Sequence, residues 1–126
     1  MGLEIMVEKK RISVAMITYN GAEYLKEMLD SILVNLAKED EIIVSDDGST
    51  DGTWEMLEKY QKQYTRIRLV KGPQQGVKQN VQNALKYCTG EYIFLADQDD
   101  VWTNDKVKKV MEVFETKDCS LVIHDA

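Results

Sequence analysis

Apolar residues along this chain fall at two alternating spacings. Ile12 to Thr18 (ISVAMIT) is a short, near-continuous apolar run with β-branched residues, and it predicts a buried strand. The period then changes. Ala22, Leu25, Met28, Leu29, Ile32 and Leu36 recur three and four apart, which predicts an amphipathic helix over 22–36. Asn20-Gly21 supplies the turn between the two. Glu41 to Ser45 (EIIVS) reads as a second strand. Ser49, Thr50 and Asp51 are cap-forming residues ahead of a second helix, which carries Trp54, Leu57, Tyr60 and Tyr64 on one side. Ile67, Leu69 and Val70 mark a third strand, and Gly72-Pro73 breaks it. Val77, Val81, Ala84, Leu85 and Cys88 mark a third helix that Thr89-Gly90 ends. Tyr92 to Ala96 (YIFLA) predicts a fourth strand, Val107, Val110, Met111 and Phe114 a fourth helix, and Leu121 to Ile123 a fifth strand.

Strict alternation of strand and helix, with near-continuous apolar strands, predicts an α/β fold: a mostly parallel sheet with helices on both faces. No linker, low-complexity segment or internal repeat interrupts residues 11–126, and residues 1–10 read as an N-terminal extension. In such sheets ligands bind beyond the carboxyl ends of the strands. The residues at those ends are therefore the candidates for function.

Composition narrows the choice. The formal net charge is −6, which argues against nucleic-acid binding, because phosphate contacts need clustered Lys and Arg. The apolar runs are too short for a transmembrane helix, and the first residues lack the apolar stretch of a signal peptide. A cytoplasmic location, at most peripheral at the inner membrane face, is expected. Cys88, Cys119 and His124 are the whole supply of Cys and His, one short of a four-ligand zinc site. His124 would also have to serve a Ser-His-Asp triad alone. Free thiols in a reducing compartment are the expectation for the two cysteines.

The strand ends are acidic. Thr18-Tyr19-Asn20 follows the first strand, Asp46-Asp47-Gly48-Ser49 the second, and Asp97-Gln98-Asp99-Asp100 the fourth. Clustered like charge raises the free energy of the folded state unless a cation or a donor-rich ligand offsets it. Two carboxylates two residues apart on a turn can reach one hard cation, and Mg²⁺ or Mn²⁺ often shares its shell with substrate phosphates. The same aspartates could instead cap helices and make turns, a reading that suits Ser49 and Asp51 better than Asp97 and Asp99. Asp47, Ser49, Asp51, Gly52 and Glu58 nearly match an EF-hand loop, but a strand rather than a helix leads into them and Trp54 sits where a small aliphatic packs. There is no GxxxxGK[ST] and no GxGxxG after the first strand. A phosphoaspartate receiver would want a Lys at the last strand, which here runs into His124-Asp125.

Four segments, in order, resemble the nucleotide-sugar-binding half of family 2 glycosyltransferases of GT-A fold. They are ISVAMITYNGAEYLKEMLDSIL, EIIVSDDGSTDGT, GVKQNVQNAL and GEYIFLADQDDVW. The ADQDDVW form is similar to members acting in bacterial polysaccharide assembly, rhamnosyltransferase-like ones among them. The resemblance implies a Rossmann-like nucleotide-diphospho-sugar transferase fold. It implies that Thr18 and Tyr19 line a nucleoside pocket with Asn20 in the same turn, and that Asp47 and Asp46 hydrogen-bond base or ribose. Lys78 and Asn80 would face the nucleotide. Asp97 and Asp99 would be the DxD pair, with Asp99 a direct ligand of Mn²⁺ or Mg²⁺ and Asp97 nearer the ribose. Many members carry Arg before that Asn, whereas Gln79 stands here, so Lys78 is left to supply the charge.

The activity implied is transfer of a hexose or deoxyhexose from a UDP- or dTDP-sugar to a saccharide or lipid-linked acceptor, with inversion. The resemblance places the catalytic base in a following half of the domain. On this reading residues 11–126 bind the donor, the fragment alone is inactive, and apolar surface around Leu121 to Ile123 favours a homo-oligomer. The competing reading is a nucleotide- and metal-binding module without catalysis.

Overall fold

In the computed structural model of the protein, residues 11–97, 101–117 and 121–122 are described. Strands β1 (Ile12–Thr18), β2 (Glu41–Asp46), β3 (Ile67–Lys71), β4 (Tyr92–Ala96) and β5 (Leu121–Val122) form one sheet. Its spatial order is β3-β2-β1-β4-β5, and every neighbouring pair is parallel. The connecting helices are α1 (Ala22–Leu33), α2 (Thr53–Gln63), α3 (Val77–Leu85) and α4 (Lys106–Lys117). The chain winds outward from β1 to β3, returns past β1 through α3, and continues outward from β4.

Both faces of the sheet are covered, which is why its strands are apolar at successive rather than alternate positions. Val14 pairs in register with Ile42 and Phe94, so all three point to the same face. There they pack with Leu25, Met28, Leu29 and Ile32 of α1, Leu57 of α2, and Trp102 and Val107 near the start of α4. The Phe94 and Trp102 ring centroids lie 5.7 Å apart. Ala15 and Ile43 point the other way, onto Ala84 of α3. Three helices thus cover one face and α3 the other. Cys88 is half-buried beside α3, and burial, with the nearby Glu41 carboxylate, pushes its thiol up to about 11. No helix among the described residues is long and apolar enough to cross a membrane.

Two helices are shorter than their apolar periods suggest. α1 stops at Leu33, and residues 34–36 close as tight turns, although Leu36 still packs on the core. Asn35 is the physical reason. Its side-chain amide donates to the Ser31 and Thr103 carbonyls at 2.9 and 2.8 Å, and its carbonyl oxygen accepts the Val107 N–H at 3.0 Å. Ser31 accepts the Trp102 N–H at 2.9 Å, so the end of α1 holds the approach to α4. α3 ends at Leu85 rather than Cys88, and its first residue, Val77, is 68% exposed instead of joining the apolar stripe.

The turns after β1 and β2 are stitched together. Asn20, in the left-handed region at φ 48°, donates its N–H to Ser49 Oγ and accepts the Thr50 N–H on its side chain. Asp51 serves two helices: one oxygen accepts the Ala22 N–H at the start of α1, and the other accepts the N–H and hydroxyl of Thr53 at the start of α2. These are N–H groups that a helix cannot satisfy internally. The Thr53 hydroxyl, with the Ala22 and Thr53 N–H groups, holds the Asp51 carboxyl below its usual range. Asp51→Ala should therefore lower Tm, and Asp51→Asn, which keeps the acceptor, should lower it less. Equal Tm for all three proteins would show that the shared cap carries no weight.

At the opposite edge of the sheet, Glu41 accepts hydrogen bonds from Ser13 Oγ and from the Thr89 N–H and hydroxyl, with Arg11 at 3.6 Å. Burial alone would raise its pKa, but these donors outweigh it and hold the carboxyl below its ordinary 4.5. A depressed folded pKa contributes stability that is complete above the unfolded value and is lost as pH falls through the folded one. Glu41→Gln should cost about 1 kcal/mol at neutral pH, less than bonds to a fully buried charged group contribute, because the site is partly exposed. Denaturation midpoints of the two proteins should converge as pH falls below 4.5. A gap that persists unchanged to lower pH would contradict the assignment.

Candidate functional site

Winding reverses between β1 and β4, so among the described residues no connection crosses the crevice at their carboxyl ends. This is the topological switch point where open α/β sheets bind ligands. A cavity of about 520 Å³ lies there. The end of β1 contributes Ile17, Thr18 and Tyr19, the residue after β2 contributes Asp47, and the residue after β4 contributes Asp97. Gly76, Val77 and Asn80, at the start of α3, close the remaining side. Tyr19 is 57% exposed and Val77 68%, so two large side chains face the opening without being buried by the protein itself. A larger groove, about 710 Å³, runs between α1 and α2 past Lys26, Tyr60 and Tyr64. It touches no strand end and none of the acidic turn residues, so the smaller cavity is the candidate site.

The residues singled out from the sequence separate into two groups. Tyr19, Asp47 and Asp97 line the cavity with part of their side chains open. Thr18 and Asn80 also line it but are buried, with their polar atoms engaged inside the protein. Thr18 Oγ1 donates to Asp46 Oδ1 at 2.7 Å. Asn80 is tied at both ends to Ser45: its Oδ1 accepts the Ser45 hydroxyl at 2.6 Å and its Nδ2 donates to the Ser45 carbonyl at 3.1 Å.

Asp46 is buried and holds its own turn, accepting from Thr18, the Ser49 N–H and the Ser49 hydroxyl. It faces a smaller hollow of about 230 Å³ with Trp54 and Lys71. Asn20 and Lys78 are exposed and do not line the cavity. Asp99 and Asp100 lie outside the described residues, as do His124, Asp125 and Cys119.

The arrangement is suited to a ligand with a flat or apolar part and polar edges. Tyr19, Ile17 and Val77 offer apolar surface, and Asp47 and Asp97 offer acceptors at its margin. An exposed carboxylate at the β4 end provides the hard oxygen donor that Mg²⁺ or Mn²⁺ prefers, and such ions complete their shells with phosphate and water. Among the described residues no group of three or more acidic, His or Cys side chains gathers as a self-sufficient metal cage.

Several contributors gave no sequence signal of their own. Ile17 looked like core, and Val77 looked like part of a buried stripe. Gly72, Gln74, Ser45 and Asn83 support the site from behind. Gly72-Pro73 was legible only as a break, and Asn83 only as a polar helix position, whereas Asn80 was singled out through the family resemblance.

Known proteins resemble this chain in sequence and in fold. An uncharacterised glycosyltransferase of Nostoc is 34% identical over 115 residues, covering 90% of this chain and 36% of that protein. The putative teichuronic acid biosynthesis glycosyltransferase TuaG of Bacillus subtilis is 33% identical over 113 residues, covering 89% of this chain and 45% of that one. The chain thus spans less than half the length of these relatives.

Among solved structures, S. aureus TarS in complex with UDP-GlcNAc superposes with a TM-score of 0.74 at 28% identity, over 86% of this chain and 32% of that one. The mannosyltransferase PcManGT of Pyrobaculum calidifontis, in complex with GDP-Man and Mn²⁺, gives 0.77 at 26% identity, over 86% and 33%. The fold is that of GT-A glycosyltransferases. The sequence profile described as glycosyl transferase family 2 matches residues 13–125, and the chain belongs to that family.

Proposed function

We propose that this protein transfers a sugar from a nucleoside-diphosphate sugar to a saccharide or lipid-linked acceptor, with inversion, and that the crevice between β1 and β4 binds the donor. One observation carries the reading: three strand ends of a family 2 chain converge on one cavity at the switch point, and bring Tyr19, Asp47 and Asp97 to it. UDP-GlcNAc in TarS and GDP-Man in PcManGT support the ligand class. UDP or dTDP is the nucleotide favoured here, and a hexose or deoxyhexose the sugar.

In this reading Tyr19 packs on the base or ribose and Asp47 accepts hydrogen bonds from it. Thr18 and Asn80 shape the pocket wall, Asp46 and Asn20 hold the turns beside it, and Lys78 approaches the phosphates. Asp97 and Asp99 hold a divalent cation, Mn²⁺ or Mg²⁺. When bound, that cation stabilises the charge that develops on the leaving diphosphate. A base must take the acceptor's proton during displacement at the anomeric carbon. In this reading Asp47 and Asp97 serve the donor, and the base that serves the acceptor is not among the residues that line the crevice. Residues 11–126 are then donor-binding machinery that does not turn over alone. Association with other copies and a peripheral place at the inner membrane face fit the same reading.

Titration of UDP, dTDP and GDP with Mn²⁺ and with EDTA tests it. Asp99→Asn should weaken binding about tenfold in Mn²⁺, the effect of losing one charge-assisted contact, and hardly at all in EDTA. Asp97→Asn should weaken binding under both conditions. Affinity equal to wild type in both variants at saturating Mn²⁺ would sink the assignment.

A further inference from the structure

Asp47 is oriented by the β3–α3 loop. Its Oδ1 accepts the Gln74 N–H at 2.6 Å, and the Gly72 N–H donates to the neighbouring Asp46 carbonyl at 2.7 Å. Gln74 reaches that position in the left-handed region, at φ 57°. The packing is tightest at Gly72. A Cβ there would stand 2.6 Å from Asp47 Oδ1, 3.1 Å from Asp47 Cα and 2.5 Å from Asn80 Oδ1.

Those two neighbours cannot yield equally. Asn80 is buried and bound twice to Ser45. Ser45 Oγ also accepts Asn83 Nδ2 at 2.8 Å, and Asn83 donates in turn to the Lys71 carbonyl at 3.0 Å. The Asp47 side chain is half-exposed and held by one hydrogen bond to the loop, so an added methyl displaces it first.

We propose that Gly72 is a specificity-determining positioning residue. Its missing side chain lets the Asn80 amide, the Gln74 N–H and the Asp47 carboxylate interlock, and so fixes the acceptor that the nucleoside meets. This rests on the crevice being the nucleoside-diphosphate site. It adds that nucleoside recognition and phosphate binding are separable, with the α3 amide network and the 72–76 loop serving only the first.

The experiment measures, in Mn²⁺, the affinity of the protein for UDP, dTDP, GDP and inorganic pyrophosphate. The ratio of the best nucleoside diphosphate to pyrophosphate gives the part of binding that depends on the nucleoside. In Gly72→Ala that ratio should fall about tenfold, as expected for misplacing one acceptor on a charged group, while pyrophosphate affinity stays within about twofold. Gln74→Gly, which keeps the N–H and eases the backbone, should retain the ratio.

A Gly72→Ala protein with the wild-type ratio, or one that loses both probes in parallel, would overturn the positioning role. A wild-type protein that binds none of the nucleotides would overturn the donor-site reading itself. If Gly72→Ala does not fold, hydrogen exchange in the wild type decides. The Gln74 amide should exchange more slowly with the best nucleoside diphosphate than with pyrophosphate, and equal slowing by both, or by neither, would contradict the proposal.

Discussion

Winding that runs outward from β1 to β3, then returns to place β4 on the other side of β1, leaves the carboxyl ends of β1 and β4 adjacent with no connection between them. Everything at the candidate site follows from that constraint. Elsewhere along the sheet, each strand end leads into a helix that packs back over its neighbour. At this junction the chain departs in opposite directions, and backbone and side chains at the strand ends face open space. α3, which among the described residues alone covers its face, then sets the far wall with its first turn.

Electrostatics at this edge are less frustrated than a row of aspartates suggests. Asp46 and Asp51 are saturated by donors from within the protein: hydroxyls of Thr18, Ser49 and Thr53, and N–H groups at helix and turn starts. Each is an internal acceptor that joins the β1 turn to the β2 turn. Among the described residues, Asp47 and Asp97 are the carboxylates that line the cavity. The acidic residues therefore do two jobs with one residue type, and their place in the fold separates them. Aspartates that join the turns build the site, and those that line the cavity face a ligand.

The element order and the parallel sheet were legible in the sequence because strands buried on both faces and helices buried on one have different periods. The edge that carries chemistry was legible for the same reason, since parallel strands place all their carboxyl ends together. What periodicity could not separate was residue from residue within a motif. Thr18, Asp46 and Asn80 lie in the matching motifs but spend their polar atoms on one another and on Ser45, contacts that depend on neighbours about 30 residues away in the chain. Val77 fits a helical stripe, but it stands at the first turn, where it is exposed and lines the cavity instead of packing on the core. The ends of α1 and α3 were overrun because Asn35 and the 86–88 turns end the helix through long-range or local hydrogen bonds that leave the apolar spacing intact.

The central claim is that the crevice between β1 and β4 holds the nucleotide and its cation. Paramagnetic broadening of backbone amide resonances by Mn²⁺, in the presence of saturating nucleoside diphosphate, tests it most directly. The account predicts strong broadening at Tyr19, Gly76 and Asp97, with the amides of Lys59 and Tyr64 in the larger groove between α1 and α2 unaffected. Broadening centred on that groove, or none that depends on the nucleotide, would contradict it.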